Sequence, residues 1–250
     1  MSVVVRTLCL DVAGTLYGDA MSTVRFFDSL AADLGSALFP AACPGCGRRG
    51  EPVCGGCVHG MRPAVAAPPP VGIGAWAAPY AYEGIARELV ARTKYRNERH
   101  AIRWLSNRAA AHVNSQHPEL AHAIANGSAV LAWVATTERR RRARGFDHAE
   151  LIAKALGSNF GVSPVALLGR LDDVAQTGQA RERRLQGPQF TARVAKPATV
   201  SKVPQPDVEV VLCDDVATTG STLRNAALAL RHAGWTNKIS AITLARTPPR

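Results

Sequence analysis

One segment near the carboxyl end of the chain constrains the fold more than any other. It runs from Val210 to Thr222 and reads Val-Val-Leu-Cys-Asp-Asp-Val-Ala-Thr-Thr-Gly-Ser-Thr. The apolar start predicts a buried strand that ends in the adjacent carboxylates of Asp214 and Asp215, and the Thr-Gly-Ser stretch predicts a turn that leads into a helix. Ligands bind beyond the carboxyl ends of the strands in a parallel sheet, so we expect a binding site at this turn.

The composition of the turn favours phosphate as the ligand. Backbone N–H groups at a helix N-terminus bind phosphate, Gly220 allows the backbone to approach it closely, and the hydroxyl groups add donors. Because two carboxylates would repel a phosphate, we expect Asp214 and Asp215 to accept hydrogen bonds from ligand hydroxyl groups, such as those of a ribose. The alternative is a capping turn after a core strand, with Ser221 or Thr222 as the N-cap of the helix.

From about residue 75 onward, apolar runs of strand length alternate with helical patterns. The predicted strands cover Ala75–Tyr82, Ala129–Ala135, Val165–Leu168, Val208–Cys213 and Ile239–Ala245. The predicted helices cover Gly84–Thr93, Glu98–His112, Asp147–Leu156 and Thr222–Ala233. This alternation predicts an α/β domain over residues 75–250, with a parallel sheet and helices on both of its faces.

A cysteine module precedes this domain. Cys43-Pro-Gly-Cys46 and Cys54-Gly-Gly-Cys57 are two C-x-x-C pairs within a short stretch, which favours a zinc site with four thiolate ligands over a redox pair or unrelated thiols. Four protein ligands leave no open position, so we expect the zinc to be structural.

The rest of the amino-terminal part divides by composition. Residues 23–62 are expected to form a helix, over Thr23–Phe39, and the zinc module. Residues 63–74 are rich in proline and predict a linker, and residues 1–22 predict a disordered or fortuitous extension. Whether translation starts at Met1 or at Met21 stays open.

The charge of the chain bears on its partners rather than on its fold. The formal net charge is +11 and the pI is about 10.0, so the surface attracts polyanions such as nucleic acid or polyphosphorylated metabolites. No stretch approaches the roughly 18 apolar residues that a membrane span needs. We therefore expect no membrane insertion and a cytoplasmic location, where clustered cysteines hold metal more often than disulfides.

The segment Val210–Thr222 resembles the phosphoribosyl pyrophosphate motif of type I phosphoribosyltransferases at every position class. With the cysteine module and the linker before it, the chain resembles the ComF/GntX family, known for a competence protein used in DNA uptake. The resemblance covers about Phe26–Arg246. Three further segments carry it: Lys94-Tyr95-Arg96, Arg144-Gly145-Phe146-Asp147-His148-Ala149-Glu150, and Gln176-Thr177-Gly178 followed by Arg181, Arg183 and Arg184.

This resemblance implies a type I phosphoribosyltransferase-like fold behind a zinc module, with Mg²⁺ bound to the pyrophosphate of the ligand. It implies that Asp214 and Asp215 contact the ribose hydroxyls, and together with Arg144 they are the candidate catalytic residues. The candidate ligand-binding residues are Lys94, Thr136, Thr137, Asp214, Asp215, Val216, Ala217, Thr218, Thr219, Gly220, Ser221 and Thr222. The chain departs from the family pattern at Val134-Ala135-Thr136-Thr137, where Val-Pro-Val-Pro is common, and at Gly145-Phe146-Asp147-His148, where Gly-Phe-Asn-Gln is common.

A run of arginines follows the predicted strand Ala129–Ala135. Arg144 is expected to face the ligand, and the outward arginines and the zinc module are expected to bind single-stranded DNA if nucleic acid is a partner; the outward set is Arg139, Arg140, Arg141 and Arg142. A solvated basic loop is the alternative. His148 is either a general acid or base or a helix-surface residue, and Gln176–Arg184 is either a mobile flap over the site or an ordinary polar loop.

Two functions follow. The first is an enzyme that transfers phosphoribosyl from the magnesium complex of phosphoribosyl pyrophosphate to a nitrogen nucleophile. The second is a non-catalytic module that binds this ligand and DNA. Fold analogy does not choose between them, and the acceptor and the oligomeric state stay open.

Overall fold

The computed structural model describes residues 42–94, 99–171, 189–192 and 208–249. Seven strands are present in this part of the chain: β1 Trp76–Ala77, β2 Tyr80–Ala81, β3 Ala129–Trp133, β4 Leu168–Arg170, β5 Phe190–Ala192, β6 Glu209–Ala217 and β7 Ile239–Arg246. The helices of the same part are α1 Gly55–His59, α2 Gly84–Arg92, α3 Arg99–Gln116, α4 Pro118–Ala125, α5 Glu138–Arg144, α6 His148–Phe160 and α7 Ser221–His232.

Some sequence predictions lie outside the described residues. They are the helix over Thr23–Phe39, the extension over residues 1–22, Tyr95 and Arg96, and the segment Gln176–Arg184. Among the residues that are described, no helix is both long enough and apolar enough to cross a membrane.

The central sheet is parallel throughout. Its order is β1, β7, β6, β3, and β2 pairs with β7 further along the same edge as β1. Beyond β3, Val165 forms a parallel bridge with Ala132. Because the strands are parallel, the carboxyl ends of β3, β6 and β7 lie at one edge of the sheet. A separate antiparallel pair, β4 and β5, lies apart from this sheet, with Arg170 opposite Phe190.

Both faces of the sheet are covered, as the apolar runs of β6 and β7 predict. Alternate residues of β6 enter different clusters: Val211 and Cys213 pack with α2, α3, α4 and α6, whereas Val210 and Leu212 pack with α7. All eight residues of β7 are buried. The predicted α/β architecture with helices on both faces is therefore confirmed.

The proline-rich segment 63–74 packs against the α/β domain. The Ala64 N–H donates to the Pro79 carbonyl at 3.0 Å, and the Arg246 guanidinium donates to the Val65 carbonyl. Further along, Ile73 is buried beside α7, and the Gly74 N–H donates to the Ile239 carbonyl at 2.7 Å. The segment thus makes contact near both ends of β7.

One local prediction was wrong, and two of the alternatives are excluded. Ala75–Tyr82 forms two short strands rather than one, because the chain breaks at Pro79, which has no N–H to donate to a ladder. The arginine run is not a loop but helix α5, whose first turn is capped by the Thr137 hydroxyl. The N-cap of α7 is Gly220, not Ser221 or Thr222.

Candidate functional site

A polar cavity of about 180 Å³ opens where the carboxyl ends of β3 and β6 meet. Seven elements or their flanking residues contribute to it: α2, β3, α5, α6, β4, β6 and α7. Its lining is formed by Lys94, Val134, Ala135, Thr136, Arg140, Arg144, Asp147, His148, Ala149, Arg170, Asp214, Asp215, Val216 and Thr222. The structure therefore brings together both predicted aspartates, Arg144, Lys94 and Thr136, which are far apart in the sequence.

The acidic pair is held by a dense set of contacts. Asp215 Oδ2 lies 3.1 Å from Lys94 Nζ and 3.4 Å from His148 Nδ1. The backbone supplies two more donors, since the Val216 N–H donates to Asp215 Oδ1 at 2.7 Å and the Asp215 N–H donates to Asp214 Oδ1 at 2.8 Å. These contacts fix both carboxylates at the end of β6, where the strand turns toward α7.

The two carboxyl groups differ in charge preference. Burial raises the pKa of Asp214 well above its ordinary value, and the neighbouring Asp215 raises it further. Burial also opposes ionisation of Asp215, but the hydrogen bond from His148 and the attraction of the Lys94 ammonium outweigh it and hold the pKa of Asp215 well below its ordinary value. The pair therefore carries its negative charge on Asp215 before it does so on Asp214.

The turn between β6 and α7 has the conformation that its sequence requires. Gly220 has φ +72°, in the left-handed region, and is buried against Pro70. Thr218 and Thr219 are exposed, and the Ser221 N–H donates to Thr219 Oγ1 at 3.3 Å. Of the predicted phosphate-binding residues, Val216 and Thr222 line the cavity itself, while the exposed residues of the turn lie outside its lining.

The loop after β3 is tied to α6 rather than left open. Asp147 is 6% exposed and caps α6 through the Ala149 N–H at 3.0 Å, and it also accepts the Thr136 N–H at 3.0 Å. Burial raises the pKa of Asp147. Thr137 instead caps α5 by accepting the Arg140 N–H at 3.3 Å. Thr136 thus lines the cavity with its N–H already used, and Thr137 does not line it.

The arginines divide between two surfaces. Arg140 and Arg144 lie one helical turn apart, so both reach the cavity. This corrects the expectation that Arg140 faces outward with Arg139, Arg141 and Arg142. Arg141 and Arg142 pair instead with Glu138, at 2.9 Å and 3.2 Å.

Sequence reasoning missed one guanidinium group. Arg170, at the end of β4, also lines the cavity, and its guanidinium carbon lies 5.8 Å from the centre of the Phe190 ring. The sequence does show a basic residue just after the apolar run Val165–Leu168. Nothing in the sequence, however, shows that β4 lies outside the main sheet and brings this residue to the site. His148 also lines the cavity, and it is buried rather than on a helix surface.

The four cysteines of the predicted module lie together. The Sγ atoms of Cys43, Cys46, Cys54 and Cys57 all lie within 4.8 Å of one another, and those of Cys46 and Cys54 are 3.4 Å apart. Tetrahedral zinc with thiolates at about 2.3 Å places neighbouring sulfurs about 3.8 Å apart. The cluster can therefore hold a metal ion such as zinc, and the spacing of the two C-x-x-C pairs predicted it.

The backbone around the cluster supports metal binding. A Cβ on Gly45 would lie 2.7 Å from Cys57 Sγ, so only glycine leaves room for that sulfur. Burial opposes the Cys43 thiolate, but backbone N–H groups of Cys54, Cys46 and Gly45 outweigh it and lower the pKa of Cys43 to about 6. A thiol that ionises this readily suits a metal that binds the thiolate form.

Comparison with known proteins gives no family for this chain. A scan against protein-family models finds no match, and a search of curated proteins finds none either. What the cavity can do follows from its own groups. It combines carboxylates that accept hydrogen bonds from hydroxyls, guanidinium groups that suit phosphate oxygens, and the N-terminus of the 12-residue helix α7.

Proposed function

We propose that this chain is a type I phosphoribosyltransferase-like protein of the ComF/GntX kind that binds phosphoribosyl pyrophosphate at the cavity between β3 and β6. The observation that carries the proposal is the joint position of the acidic pair and several cationic side chains around one cavity, at the N-terminus of α7. A phosphorylated sugar needs protein groups that accept hydrogen bonds from its hydroxyls, close to protein groups that donate hydrogen bonds to its phosphates. Few other ligands need both so close together.

Each part of the ligand has a chemical match. Asp215 is ionised, and Asp214 keeps acceptor capacity even when it is protonated, so both accept hydrogen bonds from the ribose hydroxyls. The backbone N–H groups of the turn 217–222 bind the 5′-phosphate. The pyrophosphate needs cations, and the cavity supplies them from Lys94, Arg140, Arg144 and Arg170. When bound to the pyrophosphate, Mg²⁺ would add charge to stabilise its oxygens.

We propose that the reaction transfers phosphoribosyl to a nitrogen nucleophile. The bond between the anomeric carbon and the pyrophosphate oxygen breaks, its electron pair leaves with pyrophosphate, and the nitrogen forms the new bond. Positive charge builds on the ribose ring and negative charge on the leaving group. Arg140, Arg144 and Arg170 suit stabilisation of that leaving group, and the acidic pair suits positioning of the ring.

Calorimetric titration with phosphoribosyl pyrophosphate and Mg²⁺ tests the proposal. We expect the wild type to bind and Asp215→Asn to lose most of the affinity. Glu209→Gln is the matched control, because Glu209 lies at the other end of β6 and contacts Ser240 and Lys238 rather than the cavity. Equal affinity of the wild type and Asp215→Asn would contradict the assignment of the site.

A second candidate function, nucleic-acid binding, has its own observation. Arg141 and Arg142 line a groove of about 440 Å³ with Phe146 and Lys154. This groove shares Leu151 and Lys154 with a second one, of about 410 Å³ between α3 and α6, to which Arg103 contributes. Asp147 and Glu150 also line the first groove, where Lys154 pairs with Glu150 at 2.6 Å. Its basic side chains and the ring of Phe146 suit a single strand, whose phosphates the cations contact and whose bases stack on the ring.

Fluorescence anisotropy with a single-stranded oligonucleotide over a salt series tests this second function. We expect affinity to fall steeply with salt, and the logarithmic slope to shrink by about 0.7 for each phosphate contact removed. The double variant Arg141→Gln/Arg142→Gln should show this change and still bind phosphoribosyl pyrophosphate. An oligonucleotide affinity that is the same at every salt concentration and in the double variant would exclude this surface as the nucleic-acid site.

A further inference from the structure

A buried histidine contacts Asp215 of the acidic pair. His148 is the first residue of α6 and is 4% exposed, and its ring lies between Thr93 and Asp215. His148 lines the cavity, but none of the proposed ligand contacts uses this residue. Its role therefore follows from the contacts that its two ring nitrogens make.

The first nitrogen is a donor by elimination. Thr93 has one hydroxyl hydrogen and is fully buried, and its Oγ1 donates to the Val90 carbonyl at 2.7 Å. The same Oγ1 lies 2.8 Å from His148 Nε2. Because the hydroxyl hydrogen is already used, the short contact is a hydrogen bond only if His148 Nε2 carries the proton and donates it.

The second nitrogen faces a negative charge. His148 Nδ1 lies 3.4 Å from Asp215 Oδ2, and the same oxygen lies 3.1 Å from Lys94 Nζ. An ion pair with Lys94 requires Asp215 to be ionised. A lone pair on Nδ1 would repel the carboxylate oxygen, so this nitrogen also has to carry a proton.

We propose that His148 is a positioning residue, protonated on both ring nitrogens, which anchors itself on Thr93 and donates to Asp215 to fix the orientation of that carboxylate. This proposal rests on the proposed function, because it assigns how Asp215 is held for its ribose contact. A carboxylate has about four acceptor positions. On Asp215 they receive Lys94, His148 and the Val216 N–H, which leaves a position on Oδ1 for the ligand.

Other charged groups line the cavity beside this ring. The titratable and charged groups that line the same cavity come from α2, α5, α6, β4 and β6 or from residues next to them: Lys94, Arg140, Arg144, Asp147, Arg170, Asp214 and Asp215. Of these, Asp215 is the group in direct contact with His148 Nδ1. A lone pair on Nδ1 would face the lone pairs of Asp215 Oδ2, so the ring holds Asp215 through the hydrogen on Nδ1.

Two substitutions separate the two nitrogens. His148→Asn places an amide N–H near the position of Nδ1 and keeps the donor to Asp215. His148→Gln places its amide near the position of Nε2 and keeps only the contact with Thr93. By calorimetry with phosphoribosyl pyrophosphate and Mg²⁺, we expect His148→Asn to stay within about threefold of the wild type and His148→Gln to lose about tenfold or more, the cost of one charge-assisted hydrogen bond.

A spectroscopic measurement reads the ring directly. In long-range ¹H–¹⁵N NMR of the wild type, we expect both nitrogens of the His148 ring to carry hydrogen, and Asp215→Asn to leave hydrogen on one nitrogen only.

Three outcomes would overturn the proposal: a singly protonated ring in the wild type, equal affinities of the Asn and Gln variants, or a ring unaffected by Asp215→Asn. If the wild type does not bind phosphoribosyl pyrophosphate, the proposed function fails, while the NMR signals still decide whether His148 donates to Asp215 in the free protein.

Discussion

The turn before α7 should tolerate no side chain at Gly220. This residue has φ +72°, and a Cβ built on it would lie 2.5 Å from Pro70 Cγ and 2.9 Å from Pro70 Cβ. Alanine there meets two costs. The left-handed conformation costs an L-residue about 1–2 kcal/mol, and forcing a methyl group against a packed ring costs about 1–3 kcal/mol. We expect Gly220→Ala to lower the free energy of unfolding by about 2–5 kcal/mol.

Urea denaturation with a matched control separates the two costs. Gly234, at the other end of α7, has φ +92° and no atom within 4 Å of a built Cβ. Gly234→Ala should therefore meet only the conformational cost of about 1–2 kcal/mol. In a double-mutant cycle, Pro70→Gly should remove the steric part, so the coupling energy between the two positions should be about 1–3 kcal/mol.

Two results would refute this reasoning. One is a Gly220→Ala variant no less stable than Gly234→Ala, which would mean that Pro70 does not press on the turn. The other is an unchanged cost in the Pro70→Gly background, which would place the strain in the turn alone.

Three further predictions concern the metal cluster, the acidic pair and the arginines. Gly45→Ala should weaken zinc binding by tenfold or more in a chelator competition, because its methyl group would lie 2.7 Å from a ligand sulfur. Gly55→Ala, with nothing within 4 Å, is the control. Asp214→Asn should raise the melting temperature at pH 7, because the folded protein carries this carboxyl with a raised pKa. That gain should vanish as pH falls below about 3.9, where the carboxyl is protonated folded and unfolded. Arg144→Ala should weaken binding of phosphoribosyl pyrophosphate about tenfold by calorimetry, whereas Arg139→Ala should not.

Each of these has a contrary outcome. Equal zinc affinity of the two glycine variants would mean that the cysteines do not close around one ion. An Asp214→Asn variant less stable than the wild type at pH 7 would mean that the carboxylate makes contacts worth more than its burial costs. Normal ligand binding by Arg144→Ala would remove this residue from the pyrophosphate site.

Local patterns explain what the sequence could predict. β6, the acidic pair, the turn and α7 follow one another without interruption, so their apolar run and turn residues predict them together. The cysteine cluster is likewise local, because each C-x-x-C pair presents two sulfurs on one side. Parallel strands then place the acidic pair at the same edge as the loop after β3.

Contacts between distant segments of the chain explain what the sequence could not predict. α5 has no buried residue, so no apolar periodicity marks it; Thr137 caps it and Glu138 pairs with its arginines. Arg170 reaches the cavity because β4 pairs with β5 away from the main sheet, and no local pattern shows this. The contact of Pro70 with Gly220 depends in the same way on how the segment 63–74 lies against α7.

The central claim is that one site, formed by the cavity and the turn beside it, recognises both the sugar and the phosphates of phosphoribosyl pyrophosphate. The most direct measurement is calorimetric titration of the wild type, in Mg²⁺, with phosphoribosyl pyrophosphate, ribose 5-phosphate and pyrophosphate in turn. We expect the complete ligand to bind at least tenfold more tightly than either fragment, because only it engages the turn, the acidic pair and the arginines together. Equal affinity for pyrophosphate alone, or no binding by the folded protein, would contradict the account.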